Sequence, residues 1–305
     1  MVALPVWKKP QHSRQVRINK AVHTHGPAFF APRHILAFDS GIGGLGIVRA
    51  IQTLAPEVCI DYLADTAVFP YGEQDDTFLI ERIVSLLSQA ITRLKPQAVV
   101  VACNTASTLA LEALRAAWPN MPFVGCVPPI RWAARITQTK VIGLLATRAT
   151  IRRPYLSRLH ALYAPECTLI AHAAPGLASC AELAFRGQDV PDAAILREIE
   201  GLFIHPDSSR LDVVGLGCTH YTFVLDRLRR LSPPNLTWLD PAPAVARHTC
   251  NLLANLPDKT YAQPRAWFTA LPDDQPLLMH LRHFGFSAAT LWENMDQLEA
   301  SHYQM

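Results

Sequence analysis

Two stretches of the chain share an order of residues that limits the folds open to it. Residues 98–110 (AVVVACNTASTLA) and 211–224 (LDVVGLGCTHYTFV) each pass from a short β-branched run, through a cysteine, into hydroxyl residues and then helical composition. Val99, Val100 and Val101 in the first, and Val213 and Val214 in the second, read as buried strands. Cys103 and Cys218 are therefore expected where a strand gives way to a helix. In an open α/β sheet that point is the carboxyl edge, where ligands bind. A thiol there faces unpaired N–H groups and the positive end of the helix dipole, both of which favour thiolate.

The rest of the chain continues the alternation. HILAFDS, residues 34–40, predicts a strand ending at Asp39 and Ser40, then a turn containing Gly41, Gly43, Gly44 and Gly46, then a helix over 47–54. The turn is formally G-x-G-x-x-G, and Asp61 and Asp65 lie about twenty positions on, so one reading is a dinucleotide turn. Asp39 beside a pyrophosphate weighs against it, and a small anionic ligand needing close backbone approach would use the same turn. A second strand, 58–64, ends at Asp65 and leads to Pro70, Tyr71 and Gly72. Residues 76–94 predict a helix with Phe78, Ile80, Ile83, Leu86, Leu87, Ile91 and Leu94 on its apolar face, stopped by Lys95 and Pro96.

After a strand at 123–126, Val127, Pro128 and Pro129 predict a crossover to a second unit. There VIGLLAT, 141–147, is a strand ending in hydroxyls at Thr147 and Thr150, with a helix from about Arg153. A strand at 169–173, helices at 175–185 and 191–203, and a strand at 238–240 precede a return crossover at Pro241 and Pro243. Residues 267–270 and 275–284 read as a last strand and helix, with a polar end beyond Glu293. Strands alternating with helices predict an α/β fold with mostly parallel sheets, and the duplicated strand-cysteine-helix unit suggests two related halves facing each other.

Composition narrows the function classes. The net charge is +3 and only 17% of the 305 residues are charged, which gives no nucleic-acid surface. No run approaches the ~18 apolar residues that span a bilayer. The seven cysteines are scattered, without C-x-x-C, as free thiols of a reducing cytoplasm would be. Residues 1–33 hold six Lys and Arg and no acid, without helical periodicity; they read as a loosely ordered arm, and they lack a signal peptide's apolar region.

Cys59, Cys126, Cys167, Cys180 and Cys250 read as small core residues, whereas Cys103 and Cys218 have polar neighbours at strand ends. A zinc site on Cys218 and His220 lacks the further ligands that zinc draws on. Two thiols across one cleft suit racemisation, in which a proton leaves one face of a carbon and another arrives on the opposite face. Asp39 and His220 are the candidates to move protons on and off sulfur, or else serve as a cap and a hydrogen-bonded group.

The set FDSGIGGL, ADTAVFPYGE, VVACNTAST, VIGLLATRATI, GLGCTHY and the terminal FTAL, spread from about His34 to Phe286, resembles the glutamate racemases of the cofactor-independent aspartate/glutamate racemase superfamily. The arm before the first strand resembles the longer proteobacterial form. The resemblance implies two pseudo-symmetric three-layer α/β domains, 34–128 with 243–305 and 129–242, around a cleft that holds glutamate. It implies that Cys103 deprotonates D-glutamate and Cys218 deprotonates L-glutamate, assisted by Asp39 and His220. Asp39, Ser40, Pro70, Tyr71, Gly72, Asn104, Thr105, Thr150, Thr219 and His220 match substrate-contacting positions. It further implies no pyridoxal phosphate, flavin, nucleotide or metal, a homodimer, a muramyl-peptide activator, and supply of D-glutamate for peptidoglycan in the cytoplasm.

Three departures stand out. A family carboxylate falls near Ser179, and Glu182, one helical turn later, is either its substitute or a solvated helix residue. Thr222 replaces a usual proline and Pro241 a usual serine. The other readings left open are a racemase or isomerase of a related acid such as aspartate or hydantoin, a nucleotide-binding oxidoreductase using Gly41, Gly43 and Gly46, and a binding protein with an inactive site.

Overall fold

The structure, a computed structural model, describes residues 33–257, 263–271 and 275–293. The arm expected over 1–33, apart from Arg33, and the end beyond Glu293 lie outside the described residues. The first unit contains β1 (His34–Asp39), α1 (Leu45–Leu54), β2 (Cys59–Ala64), α2 (Asp76–Leu94), β3 (Ala98–Val101), α3 (Asn104–Ala117) and β4 (Phe123–Gly125). The chain then forms α4 (Ile130–Ile136), β5 (Val141–Ala146), α5 (Arg148–Arg152), α6 (Pro154–Tyr163), β6 (Thr168–Ala173), α7 (Leu177–Phe185) and α8 (Asp192–Ile199). It closes with β7 (Val213–Gly217), α9 (Leu225–Leu231), β8 (Thr237–Leu239), α10 (Ala242–Leu253), β9 (Ala266–Phe268), α11 (Gln275–Arg282) and β10 (Ala289–Leu291).

The strands divide into two sheets, ordered β10-β9-β2-β1-β3-β4 and β6-β5-β7-β8, and every pairing is parallel. Each sheet repeats one pattern: its first strand lies between its second and third, with the fourth outside the third. The crevice where strand order reverses therefore opens between β1 and β3 in one sheet and between β5 and β7 in the other.

Parallel sheets bury both faces, which is why these strands are continuous apolar runs rather than alternating ones. In β1, Ile35 and Ala37 pack under α1, α10 and α11 with Val48, Ile51, Val245, Leu277 and Leu281, while Leu36 and Phe38 pack under α2 and α3 with Leu79, Ile83, Leu87 and Leu114. In β5, Val141 and Leu145 join a cluster with α7, α8 and α9, and Ile142 and Leu144 one with α4 and α6. Burial of each such Leu or Ile stabilises the fold by ~1.5–3 kcal/mol. Among the described residues no helix is long and apolar enough to cross a membrane.

Most expected elements form within a residue or two of the expected bounds, and the exceptions have physical causes. Asp75 caps α2 by accepting from Phe78 N at 3.0 Å, and Lys95 ends it in the left-handed region. Phe78 itself is 45% exposed, because the buried stripe runs through Leu79, Ile83, Leu86, Leu87 and Ala90, and Phe78 sits one residue step off it. The helix expected from about Arg153 is α6, and the short α5, not expected, precedes it, the two parted where Arg153 turns extended ahead of Pro154. Behind Cys218 the chain makes a three-ten stretch, Thr219–Val224, before α9 begins. The proline-bearing segment after Asp240 is not only a crossover: Pro243 falls in the first turn of α10, where its missing N–H costs nothing.

Candidate active site

The carboxyl edges of the two sheets supply the polar side chains that meet between them. Asp39 ends β1 and Cys103 follows β3, at the N-cap of α3; Thr147 follows β5 and Cys218 follows β7. Cys103 and Cys218 both line one small buried cavity of about 20 Å³. Ser40, Pro70, Tyr71, Gly72, Asn104, Thr105 and His220 line it too, all of them residues singled out from the sequence. No Lys or Arg does.

Behind Cys218 stands a buried relay. Its Sγ lies 3.9 Å from His220 Nδ1, and His220 Nε2 lies 3.0 Å from Glu182 Oε1. Glu182 also accepts from Ile42 N at 3.1 Å and from Arg186 Nη2 at 3.0 Å. Glu182 is thus no solvated helix residue: it is 8% exposed, and α7 aims it across to the glycine turn of the other half. Burial by itself would lower the pKa of His220, but hydrogen bonds with Cys218 and Glu182 raise it well above the ordinary imidazole value. The raised pKa favours the cationic ring, which stands where it stabilises negative charge on Cys218 Sγ. Burial opposes the charge on Glu182, yet its bonds from His220, Ile42 and Arg186 leave its pKa lowered.

Behind Cys103 the partners differ. Ser40 Oγ lies 3.9 Å from its Sγ and 3.5 Å from Asp39 Oδ1, which accepts from Gly41 N at 3.0 Å. Burial raises the Cys103 pKa, Asp39 raises it further, and the Ala106 N–H at the start of α3 lowers it. The helix start does favour thiolate, as expected, but burial and a neighbouring carboxylate outweigh it, so Cys103 rests as the thiol. Asp39 is itself raised, by burial first, against the lowering effect of His220.

Asp39, Thr150 and Thr219 reach the cavity only through neighbours. Thr219 Oγ1 donates to Asp39 Oδ2 at 3.0 Å, a bond between the two halves. Thr150 Oγ1 lies 3.1 Å from Thr147 Oγ1, which lies 3.3 Å from Thr105 Oγ1. Tyr71 gives its hydroxyl to Asp65 at 2.6 Å, so its ring and main chain are what it offers the cavity. Asn104 Nδ2 donates to Cys126 Sγ at 3.3 Å, while Asn104 Oδ1 is buried with no partner among the described residues.

Thr147, Phe69 and Ala178 also line the cavity. Thr147 had a signal, a hydroxyl closing a strand; Phe69, whose ring lies 5.3 Å from that of His220 and tilted by 42°, and Ala178 had none. The glycine turn is not a dinucleotide cradle. A Cβ on Gly41 would lie 2.6 Å from Glu182 Oε1, and one on Gly43 2.6 Å from His220 Nδ1, so the space a pyrophosphate would need is filled by the other half. Among the described residues, no three His, Cys, Asp or Glu side chains gather as metal ligands would.

The family model described as Asp/Glu/Hydantoin racemase matches residues 46–249. The chain is 51% identical over 219 residues to a glutamate racemase of Granulibacter bethesdensis, covering 72% of this chain and 78% of the relative. It is 41% identical over 262 residues to a glutamate racemase of Brucella canis, covering 85% and 95%. The crystal structure of Escherichia coli glutamate racemase in complex with L-glutamate and the activator UDP-MurNAc-Ala superposes with a TM-score of 0.80 at 35% identity, covering 85% of this chain and 98% of that one.

Proposed function

The chain belongs to the Asp/Glu/hydantoin racemase family, and on that premise we propose how it interconverts L- and D-glutamate. Cys218, with His220 beside its sulfur to stabilise the negative charge, takes the α-hydrogen of L-glutamate. Cys103, resting as the thiol, gives its proton to the opposite face, and D-glutamate forms. In reverse Cys103 is the base and Cys218 the acid. After each passage the two sulfurs have exchanged protonation states, and His220 with Glu182 on one side, and Ser40 with Asp39 on the other, move protons to restore them.

The observation that carries this reading is the pair of cysteines, one from each sheet, lining one small cavity with a different acid-base group behind each. The substrate needs donors for two carboxylates and an acceptor for one ammonium. Ser40, Thr105 and Thr147 hydroxyls supply donors, with Thr150 behind Thr147, and the unpartnered Asn104 Oδ1 is an acceptor whose burial costs free energy until a donor arrives. The test is exchange of the glutamate α-hydrogen in deuterium oxide, with each enantiomer and no added cofactor, for wild type, Cys103→Ser and Cys218→Ser. Racemisation by wild type that either substitution abolishes is expected; exchange only with another acid would overturn the substrate.

The same reading takes 34–128 with 243–305 as one domain and 129–242 as the other, which the partition of strands between two sheets supports. It places the protein in the cytoplasm as a homodimer that supplies D-glutamate for peptidoglycan. It also includes a muramyl-peptide activator. A cavity of about 510 Å³ beside both crossovers, lined by Arg131, Arg135, Arg247, His248 and Trp132, has the guanidinium and indole groups that a nucleoside diphosphate wants. Racemisation measured while UDP-MurNAc-Ala is titrated tests this; an unchanged rate would remove the activator.

A further inference from the structure

The cavity between the cysteines, about 20 Å³, has room for about one water and not for the ten heavy atoms of glutamate. Glutamate can enter only if the side chains contributed by the two sheets part. Thr105, from α3 of the first sheet, meets Thr147, the cap of α5 of the second, through a single hydroxyl contact of 3.3 Å. A Cβ on Gly72 would lie 3.0 Å from Thr147 Cβ, so this seam is tight.

A charged group spans this threonine seam, apart from the Glu182 and Asp39 bonds that join the halves elsewhere. Arg153, between α5 and α6, donates through Nε and Nη2 to the two carboxylate oxygens of Asp76 at 3.2 and 2.6 Å, at the first residue of α2. Its Nη1 reaches Thr105 O at 3.5 Å and Thr108 Oγ1 at 3.4 Å, both on α3. Arg153 is 8% exposed although it is charged, and an arginine so buried is held by its partners. It follows Thr150 by three residues, so its grip on α2 and α3 sets where Thr147 and Thr150 stand.

We propose that Arg153 and Asp76 form a clasp that assembles the Thr105–Thr147–Thr150 cluster across the seam and must release for glutamate to enter or leave. Arg153 is a positioning residue, acting through the threonines rather than on the substrate. The inference rests on the site reading above. Hydrogen bonds from Arg153 hold the Asp76 carboxyl below its usual pKa, so the pair stays ionised through neutral pH. Asp76 is 52% exposed, so salt weakens the clasp.

The experiment measures how fast iodoacetamide alkylates Cys103 and Cys218 in the substrate-free full-length protein, each site read by peptide mass mapping. Arg153→Ala and Asp76→Ala are each expected to speed alkylation at both thiols about fivefold, the gain from losing a pair of this exposure. The double variant does no more than Arg153→Ala, which already removes the bonds to Thr105 and Thr108 together with the pair. Exchanging the charges, with Arg153→Asp and Asp76→Arg together, restores much of the protection. Arg152→Ala, which removes a neighbouring charge without those bonds, leaves the rate alone. In racemisation the single variants raise KM for both enantiomers about fivefold with little change in kcat. Alkylation at the wild-type rate in both single variants overturns the clasp, as does an equal rise at buried Cys167, which would mean general loosening. Because alkylation is read without substrate, a failure of the glutamate reading leaves this result standing, and the two failures are distinguishable.

Discussion

Replacing Glu182 by Gln removes one charge and keeps the shape, which makes it the sharpest probe of the relay behind Cys218. The Gln oxygen can still accept from His220 Nε2 and Ile42 N, at the 3.0 and 3.1 Å now seen, but the acceptor is neutral. A hydrogen bond to a charged group contributes ~1.5–3 kcal/mol and one between neutral groups ~0.5–1.5 kcal/mol, so the difference is about 1–2 kcal/mol. The Glu182 side chain is only 11% exposed, and water screens little of it. If this stabilisation is expressed in the transition state, kcat/KM falls about 5- to 30-fold. Enantiomers have equal free energy, so kcat/KM must fall by the same factor for L- and D-glutamate, and any asymmetry appears only in kcat and KM taken separately. With a neutral amide in place of the carboxylate, the bond that helps raise the imidazolium pKa is weakened, and the alkaline limb of the pH profile moves to lower pH. The assay follows loss of optical rotation from each enantiomer across the pH range. Activity within twofold of wild type and an unmoved alkaline limb would refute the relay.

Three further outcomes are expected. Gly41→Ala drives a methyl to within 2.6 Å of Glu182 Oε1 and 2.8 Å of His220 Nε2, so kcat/KM should drop at least tenfold while circular dichroism keeps the wild-type spectrum; full activity would show that the pair can shift without cost. Arg82→Ala leaves the fully buried Asp65 without its bidentate partner; because Arg82 is 29% exposed, the usual ~3–5 kcal/mol for breaking a buried pair is discounted to about 1–3 kcal/mol in urea unfolding, and a loss below ~0.5 kcal/mol would contradict this. His220 has a raised folded-state pKa, so its contribution to stability is fully present below its unfolded value of ~6.5 and is lost as pH rises through the folded value. The Tm advantage of wild type over His220→Gln should therefore shrink as pH is raised above ~6.5, and an advantage growing with pH would reverse the sign argued here.

What the sequence disclosed and what it withheld follow from the range of the forces involved. Cys103, Asp39, Ser40 and His220 were legible because strand ends and caps are local, written in runs of a few residues. The contact between Glu182 and His220 was not, since it depends on how α7 docks against β7 and the glycine turn, 38 residues away in the chain. Thr219 reaching Asp39 is a still longer link. At Cys103 the local rule, a helix start favouring thiolate, was right in sign and lost to burial, which no window of sequence reports. Phe78 shows the same limit: apolar composition placed it inside, while the angle of the buried stripe turned it out.

The small cavity has a consequence for inhibitors. A compound shaped like glutamate cannot dock onto the resting protein; it enters only while the seam is open, and its association is slowed accordingly. A compound for the larger cavity beside the crossovers meets a preformed surface and avoids that delay. The two cavities therefore ask different things of a ligand: the one between the cysteines must be opened before it is filled, and the one beside the crossovers is filled as it stands.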